Sequence, residues 1–161
     1  DSQRLAIPLC KGELTIIQDA DLEYNIENIN SLIELLIKYD YDAVLGFRKL
    51  RNTKLYSPYF LFHKIAVITL TILTNLLYQG NFKDVCTCYR LIKTPILKKL
   101  DIRGERFEFD FSMINKLALE TKKIGNIQID YKNRSFKDGK KNTWVVGFYA
   151  IKRILIDRFN F

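Results

Sequence analysis

Cysteine and histidine are scarce in this sequence. Cys10, Cys86 and Cys88 make an odd count and there is one histidine, His63. This excludes a disulfide framework, and the three read as reduced thiols in a cytosolic setting. Cys86 and Cys88 are expected on one face of a strand, where two thiols without further ligands make a poor zinc site. The chain opens Asp1-Ser2-Gln3-Arg4, with neither a Met nor a signal-peptide pattern, and is expected to be a piece of a longer protein or a processed product. No internal repeat or low-complexity linker interrupts it. Between residues 43 and 83 there is no acid at all. Residues 65–82 carry no charge of either sign, but Thr69, Thr71, Thr74, Asn75, Gln79 and Gly80 make them a poor membrane span. A buried or interfacial helix is the expectation there.

What is present has a clear layout. The length of 161 residues allows one domain with a sizeable core, and 48% hydrophobic content with 13% aromatics excludes a disordered chain. The net charge of +8 is unevenly spread. Residues 13–42 hold eight acids and one base, Lys38, whereas the acid-free stretch that follows holds Arg48, Lys49, Arg51, Lys54, Lys64 and Lys83. An acidic, metal-loving half followed by a basic, anion-loving half suits a phosphate-handling site or a face laid on anionic lipid. Nucleic acid ranks lower, because the bases are interleaved with long aliphatic runs and no nucleic-acid-binding motif occurs.

The apolar run at 14–18 reads as a buried strand, 26–38 as an amphipathic helix with Asn25 as N-cap, and 43–46 as a second buried strand. The order strand–helix–strand predicts an α/β layer with parallel pairing. Residues 47–62 have a loop composition. A helix over 65–82, a strand over 85–92, a short helix from Pro95, a helix over 107–122 and a strand over 126–131 follow. A basic loop at 132–142 leads to a C-terminal amphipathic helix over 143–161, anchored by Trp144 and carrying Lys152, Arg153 and Arg158.

The most informative motif is Gln18-Asp19-Ala20-Asp21-Leu22-Glu23, directly after the first strand. Two carboxylates one residue apart at a strand end form a compact hard-oxygen site, suited to a divalent cation that also holds a diphosphate. A solvated turn or helix cap uses the same residues. Asp84 after Gly80-Asn81 reads equally as a turn residue, Glu108 as a helix-start acid, and Arg134, Lys140 and Lys141 as a solvated basic loop.

Taken in order, these motifs resemble family 2 glycosyltransferases, in particular the polyprenyl-phosphate branch that includes dolichol-phosphate mannosyltransferase. The resemblance runs from Gly12-Glu13 through the Asp19-Ala20-Asp21 segment, a strand-end Asp-x-Asp of the kind many nucleotide-sugar glycosyltransferases use for metal. It continues through Gly46-Phe47-Arg48, His63-Lys64, Leu73-Thr74-Asn75, 84–90 and Phe107-Glu108-Phe109. It closes on 131–141, Trp144, Gly147 and Phe148. It implies an incomplete GT-A (Rossmann-like) α/β domain with a mostly parallel sheet and flanking helices, with 1–161 as the C-terminal two-thirds of one domain. The family's N-terminal base-binding strand and second acidic loop have no counterpart here. Cys86 stands where the branch often has Glu, Val146 where it often has Asp, and Lys64 where some members have Arg.

The implied reaction moves a sugar, with inversion, from a nucleotide-diphosphate sugar to a polyprenyl phosphate at a membrane surface, on the cytoplasmic face. The implied cofactor is Mg2+ or Mn2+ on Asp19 and Asp21. Arg134, Lys140 and Lys141 would serve the leaving diphosphate, Glu23 and Glu108 the sugar, Arg48 and Lys64 the acceptor phosphate, and Asp84 would act as a positioning group or weak base. The 161 residues alone are expected to transfer sugar weakly or not at all. The competing readings are a non-catalytic remnant that binds anionic lipid or a partner, and a nucleic-acid-binding domain.

Overall fold

The computed structural model describes residues 2–19, 23–48, 58–132 and 144–159, with the side chains of 58–60 and 144 outside that description. A short helix α1 (Ser2–Ala6) and a 3-10 turn (Ile7–Leu9) precede β1 (Leu14–Ile17), α2 (Asn28–Lys38) and β2 (Ala43–Arg48). Then come α3 (Pro58–Tyr78), β3 (Arg90–Lys93), α4 (Thr94–Lys99), α5 (Phe107–Glu120), β4 (Ile124–Ile129) and α6 (Trp144–Phe159).

The strand order is β1-β3-β2-β4. Both β1 and β2 pair with β3 antiparallel, and β2 pairs with β4 in parallel. Three strands therefore run in one direction and β3 runs against them. The parallel pairing expected between the first two strands does not form, because β3 lies between them.

Side chains alternate across the sheet. On one face Ala43, Leu45 and Ile92 join Leu70, Tyr78, Met113, Ile114, Leu117 and Ile154 from α3, α5 and α6. On the other face Val44, Leu91 and Ile129 pack on Leu32 and Leu36 of α2. β2 has a strand on each side and a helical layer over each face, which is why residues 43–46 are all buried.

Several local readings change. Asn25 does not cap α2. Its Oδ1 accepts from the Glu27 amide in a turn, and the helix begins at Asn28. Ile26 therefore precedes the helix and stays exposed, as does Ile37 on its outer side. α3 begins at Pro58, inside the segment expected to be loop. The strand expected over 85–92 shrinks to Arg90–Lys93. Side-chain turns replace its first half. The Cys86 amide donates to Asp84 Oδ1 and the Tyr89 amide to Thr87 Oγ1, so Cys86 and Cys88 do not share a strand face.

An ion cluster closes the sheet edge where β2 begins. Asp42 Oδ2 accepts from the Thr121 hydroxyl at 2.6 Å, and Lys93 Nζ donates to Asp42 and Asp40 at 3.1 Å each. Burial works to raise the Asp42 pKa, but Thr121 and Lys93 overcome it and hold the carboxyl below its ordinary value. A depressed carboxylate stabilises the fold above the unfolded pKa, and the contribution is lost as pH falls through the folded one. Asp42→Asn should cost about 1–2 kcal/mol near neutrality. In urea melts the gap from wild type should close as pH drops below the ordinary aspartate value of 3.8.

Candidate active site

The strands that run together, β1, β2 and β4, end at the same sheet edge. Their last residues lead into Asp19, Arg48 and Tyr131, while the opposed β3 begins there with Arg90. The topology thus gathers the chemistry-bearing side chains at one place.

Arg48, the last residue of β2, forms a two-pronged pair with Asp84: Nε–Oδ2 2.7 Å and Nη2–Oδ1 2.9 Å. Both side chains are nearly buried, at 10% and 7% exposure. Burial alone would lower the Arg48 pKa, but the adjacent Asp84 carboxylate more than offsets it and holds the guanidinium charged. The guanidinium also lies over the Tyr131 ring, 5.2 Å from its centroid. Asp84 is fixed in turn by its turn bond to the Cys86 amide. Nearby, Asn126 Nδ2 donates to the Asn81 carbonyl and the Lys83 amide donates to Asn126 Oδ1, tying 81–83 to β4.

A cavity of about 140 Å³ adjoins this pair. Arg48, Lys83 and Asp84 line one side, and Val67, Ile68, Thr71 and Ile72 of α3 the other. Lys64 is half-buried one turn ahead of Val67 and Ile68, on the same helix face.

The acidic segment is held by aromatic contacts. Tyr24 stacks flat on Tyr89 at 5.2 Å and meets Tyr131 at a tilt. The Tyr131 hydroxyl donates to Glu23 at 2.7 Å, and the Lys132 amide donates to the Glu23 carbonyl at 2.8 Å. Burial raises the Tyr131 pKa, and the bond to Glu23 adds to it, so the phenol stays a donor. Glu23 therefore meets the root of the basic segment. Asp21, Arg134, Lys140 and Lys141 lie outside the described residues.

Asp19 lies beside the Cys88 thiol, whose pKa burial pushes well up and the nearby Asp19 charge pushes further. Cys86 is likewise pushed up to about 12 by burial and by Asp84. Neither thiol ionises near neutrality, which agrees with packed, unreactive cysteines.

Two site residues escaped the sequence reading. Arg90 is buried, at 1% side-chain exposure, and donates to the Thr87 carbonyl and to both the carbonyl and carboxylate of Asp110. Burial raises the Asp110 pKa; Arg90 opposes this and the Asp19 charge reinforces it. A signal was present: each charge sits inside an apolar run, Tyr89-Arg90-Leu91 and Phe109-Asp110-Phe111, where an ion needs a partner. Glu108, two residues before Asp110, faces another way and lies against Gly104, whose φ is +85°.

Among the described residues no three potential ligands cluster as a metal site. The donor chemistry at the strand end still suits a hard cation. Asp19 is an oxygen donor whose charge already burdens Asp110, an excess of negative charge that a cation relieves.

The family model for Glycosyl transferase family 2 matches residues 2–101. The chain belongs to glycosyltransferase family 2. Among solved structures it is similar to glucosyl-3-phosphoglycerate synthase from Mycobacterium tuberculosis, crystallised with phosphoglyceric acid. The match has a TM-score of 0.60 at 13% identity and covers 95% of this chain and 52% of that one. At that identity the likeness speaks for the GT-A fold, and this family 2 chain spans about half the length of that relative.

Proposed function

We propose that these residues form the acceptor side of a family 2 glycosyltransferase domain that moves a sugar from a nucleotide-diphosphate sugar to a polyprenyl phosphate. The observation that carries this reading is the cavity between Arg48 and α3. The nearly buried Arg48–Asp84 ion pair, with the exposed Lys83, forms one wall and a largely aliphatic helix face the other. An ionic head joined to a hydrocarbon tail matches both walls; a wholly polar acceptor matches one.

The nucleophile in this reaction is a phosphate oxygen, anionic near neutral pH, so no strong base is required. The hard part is bringing two anions together and releasing the diphosphate. Arg48 and Lys64 would hold the acceptor phosphate, with Asp84 fixing the aim of Arg48 rather than taking a proton. Asp19 and Asp21 would hold Mg2+ or Mn2+, which when bound neutralises the leaving diphosphate. Arg134, Lys140 and Lys141 would add donors on the leaving side, and Glu23 would contact the sugar, while Glu108, set against Gly104, is left out of this site. Direct displacement at C1 inverts the anomeric centre. Asp110 would press on Asp19 and set its orientation. The base-rich surface and the reduced thiols favour a peripheral position on the cytoplasmic face of a membrane.

The test is metal-dependent transfer from several sugar nucleotides to a polyprenyl phosphate by the full-length native protein, beside Asp19→Asn. Wild type should turn over and Asp19→Asn should lose at least tenfold. Transfer only to a water-soluble phosphate would reject the lipid acceptor. No transfer, with lipid binding intact, would assign a non-catalytic lipid-binding protein instead.

A further inference from the structure

We propose that Lys83 is a further ligand of the acceptor's phosphate, and that Lys83 rather than Arg48 supplies the net charge of the cavity beside α3. This deepens the acceptor reading above and rests on it for the identity of the acceptor, but the cation and its setting are separate observations.

The Arg48–Asp84 pair is electrically closed. Arg48 gives Nε and Nη2 to the two carboxylate oxygens, and its backbone amide donates to Oδ2 at 3.5 Å. A guanidinium paired in this way still aims its remaining N–H groups, but the pair as a whole adds no net charge. Among the described residues that line the cavity, Arg48 and Lys83 are the cations, Asp84 is the anion, and the α3 side is uncharged. The surplus positive charge is therefore that of Lys83. The residue is exposed and makes no ion pair among the described residues. A phosphate monoester carries more than one negative charge near neutrality, so a neutral ion pair alone would hold it poorly.

The backbone that carries Lys83 is fastened residue by residue. The Asn81 carbonyl accepts from Asn126 Nδ2 at 2.9 Å, and the Lys83 amide donates to Asn126 Oδ1 at 3.2 Å. Between them the Phe82 amide donates to Asn75 Oδ1 at 2.8 Å, and the Phe82 carbonyl accepts from Asn75 Nδ2 at 2.9 Å. Asp84 is held by Arg48, and the Val85 amide donates to Thr71 Oγ1 at 3.3 Å. The whole run 81–85 is thus tied to α3, β2 and β4. A solvated lysine needs no such platform. A lysine that must meet an anion at a fixed place gains from one, because a cation whose backbone is already placed has less freedom to lose on binding.

Two neighbours in the chain therefore divide the work. Asp84 turns to Arg48 and fixes the angle of its guanidinium, while Lys83 lines the cavity with its charge unspent. Arg48 contributes direction through a rigid planar fork; Lys83 contributes charge as a point cation on a flexible stem, able to follow the phosphate as the tail seats against α3. Asn126 becomes a positioning residue, acting on the phosphate only through the turn that bears Lys83.

The test is calorimetric binding of three probes to the full-length native protein, without sugar nucleotide: farnesyl phosphate, farnesol, which lacks the ionic head, and phosphoglyceric acid, which lacks the tail. Wild type should prefer farnesyl phosphate to both. Lys83→Gln should weaken farnesyl phosphate about tenfold or more, the worth of a charge-assisted bond, and flatten its salt dependence. Farnesol binding should not change. Lys83→Arg should retain most of the affinity. Asn126→Leu should weaken binding by less and keep the salt dependence, because the charge stays while its platform loosens. Thermal melts of Lys83→Gln should match wild type, since the position is exposed and its bond to Asn126 is made by the backbone. In transfer assays the loss should fall on the acceptor KM and leave the sugar-nucleotide KM unchanged. Folded Lys83→Gln that binds farnesyl phosphate as tightly as wild type, or that loses farnesol equally, would overturn the proposal. So would wild type that binds none of the three. A preference for phosphoglyceric acid, lost in Lys83→Gln, would uphold Lys83 as the phosphate ligand and reject the lipid acceptor. Lys83-dependent binding without sugar transfer rejects the transferase reading alone, and transfer with an unchanged acceptor KM in Lys83→Gln rejects the role of Lys83 alone.

Discussion

Arg48→Ala is expected to destabilise the fold by about 3–5 kcal/mol, since it strands a nearly buried carboxylate. Asp84 would lose both guanidinium bonds and keep its bond from the Cys86 amide. Tyr131 would lose the cation over its ring. The contrast lies in the double replacement. Arg48→Met with Asp84→Leu removes both charges and leaves comparable volume, and such swaps are often neutral or stabilising. Chemical denaturation should show the single variant far below wild type and the double variant near it. Acceptor binding should be lost in both. Equal destabilisation of single and double variants would mean the site depends on packing around Arg48 rather than on the charge pair.

Arg90→Met should be comparably costly, on the order of 3 kcal/mol or more. The guanidinium ties the start of β3 to the first turns of α5 through Thr87 and Asp110, with Met113 Sδ 3.8 Å away. Without it Asp110 faces Asp19 with no compensating cation. The pressure that already raises Asp110 would grow, and the loss should deepen as pH rises from acid toward neutrality, because the folded state then holds a proton the unfolded chain releases. Adding Asp110→Asn should recover part of the loss and flatten that pH dependence. A pH-independent deficit would assign the role of Arg90 to its carbonyl contacts.

The layered α/β class was legible because burial writes it locally. Residues 43–46 are apolar without gaps, residues 14–17 are apolar but for Thr15, and α2 shows its stripe at Leu32 and Leu36. The place of β3 was not legible. Nothing within 90–93 says that this strand inserts between two earlier ones, since that choice is made by packing across distant residues. The false first half of that strand has a physical cause as well: Asp84 and Thr87 bond nearby amides and divert the backbone from a ladder. Asp19, singled out by its place at a strand end, and Glu23, Arg48 and Asp84, singled out by the family pattern, lie at the sheet edge that forms the site. Arg90 closes the 84–90 stretch of the family pattern but was assigned no role there, and Asp110 follows no short motif; what marks both is the rule that a charge within an apolar run must be partnered.

The insertion of β3 also orders events as the chain is made. Leu14 awaits Lys93, and Ala43 awaits Ile92 on one side and Ile124 on the other. None of these pairs can close until residue 90 has left the ribosome. At ~5–20 residues per second, β1 waits about 4–16 s for its partner. During that interval β1 and β2 can lie side by side, and such a pairing must open again to admit β3. The nascent half is thus kinetically exposed to a sheet of the wrong order. α3 emerges in the same interval with Leu70 and Tyr78 not yet covered by α5 and α6, so a chaperone that receives it early would shelter the helix before the sheet exists.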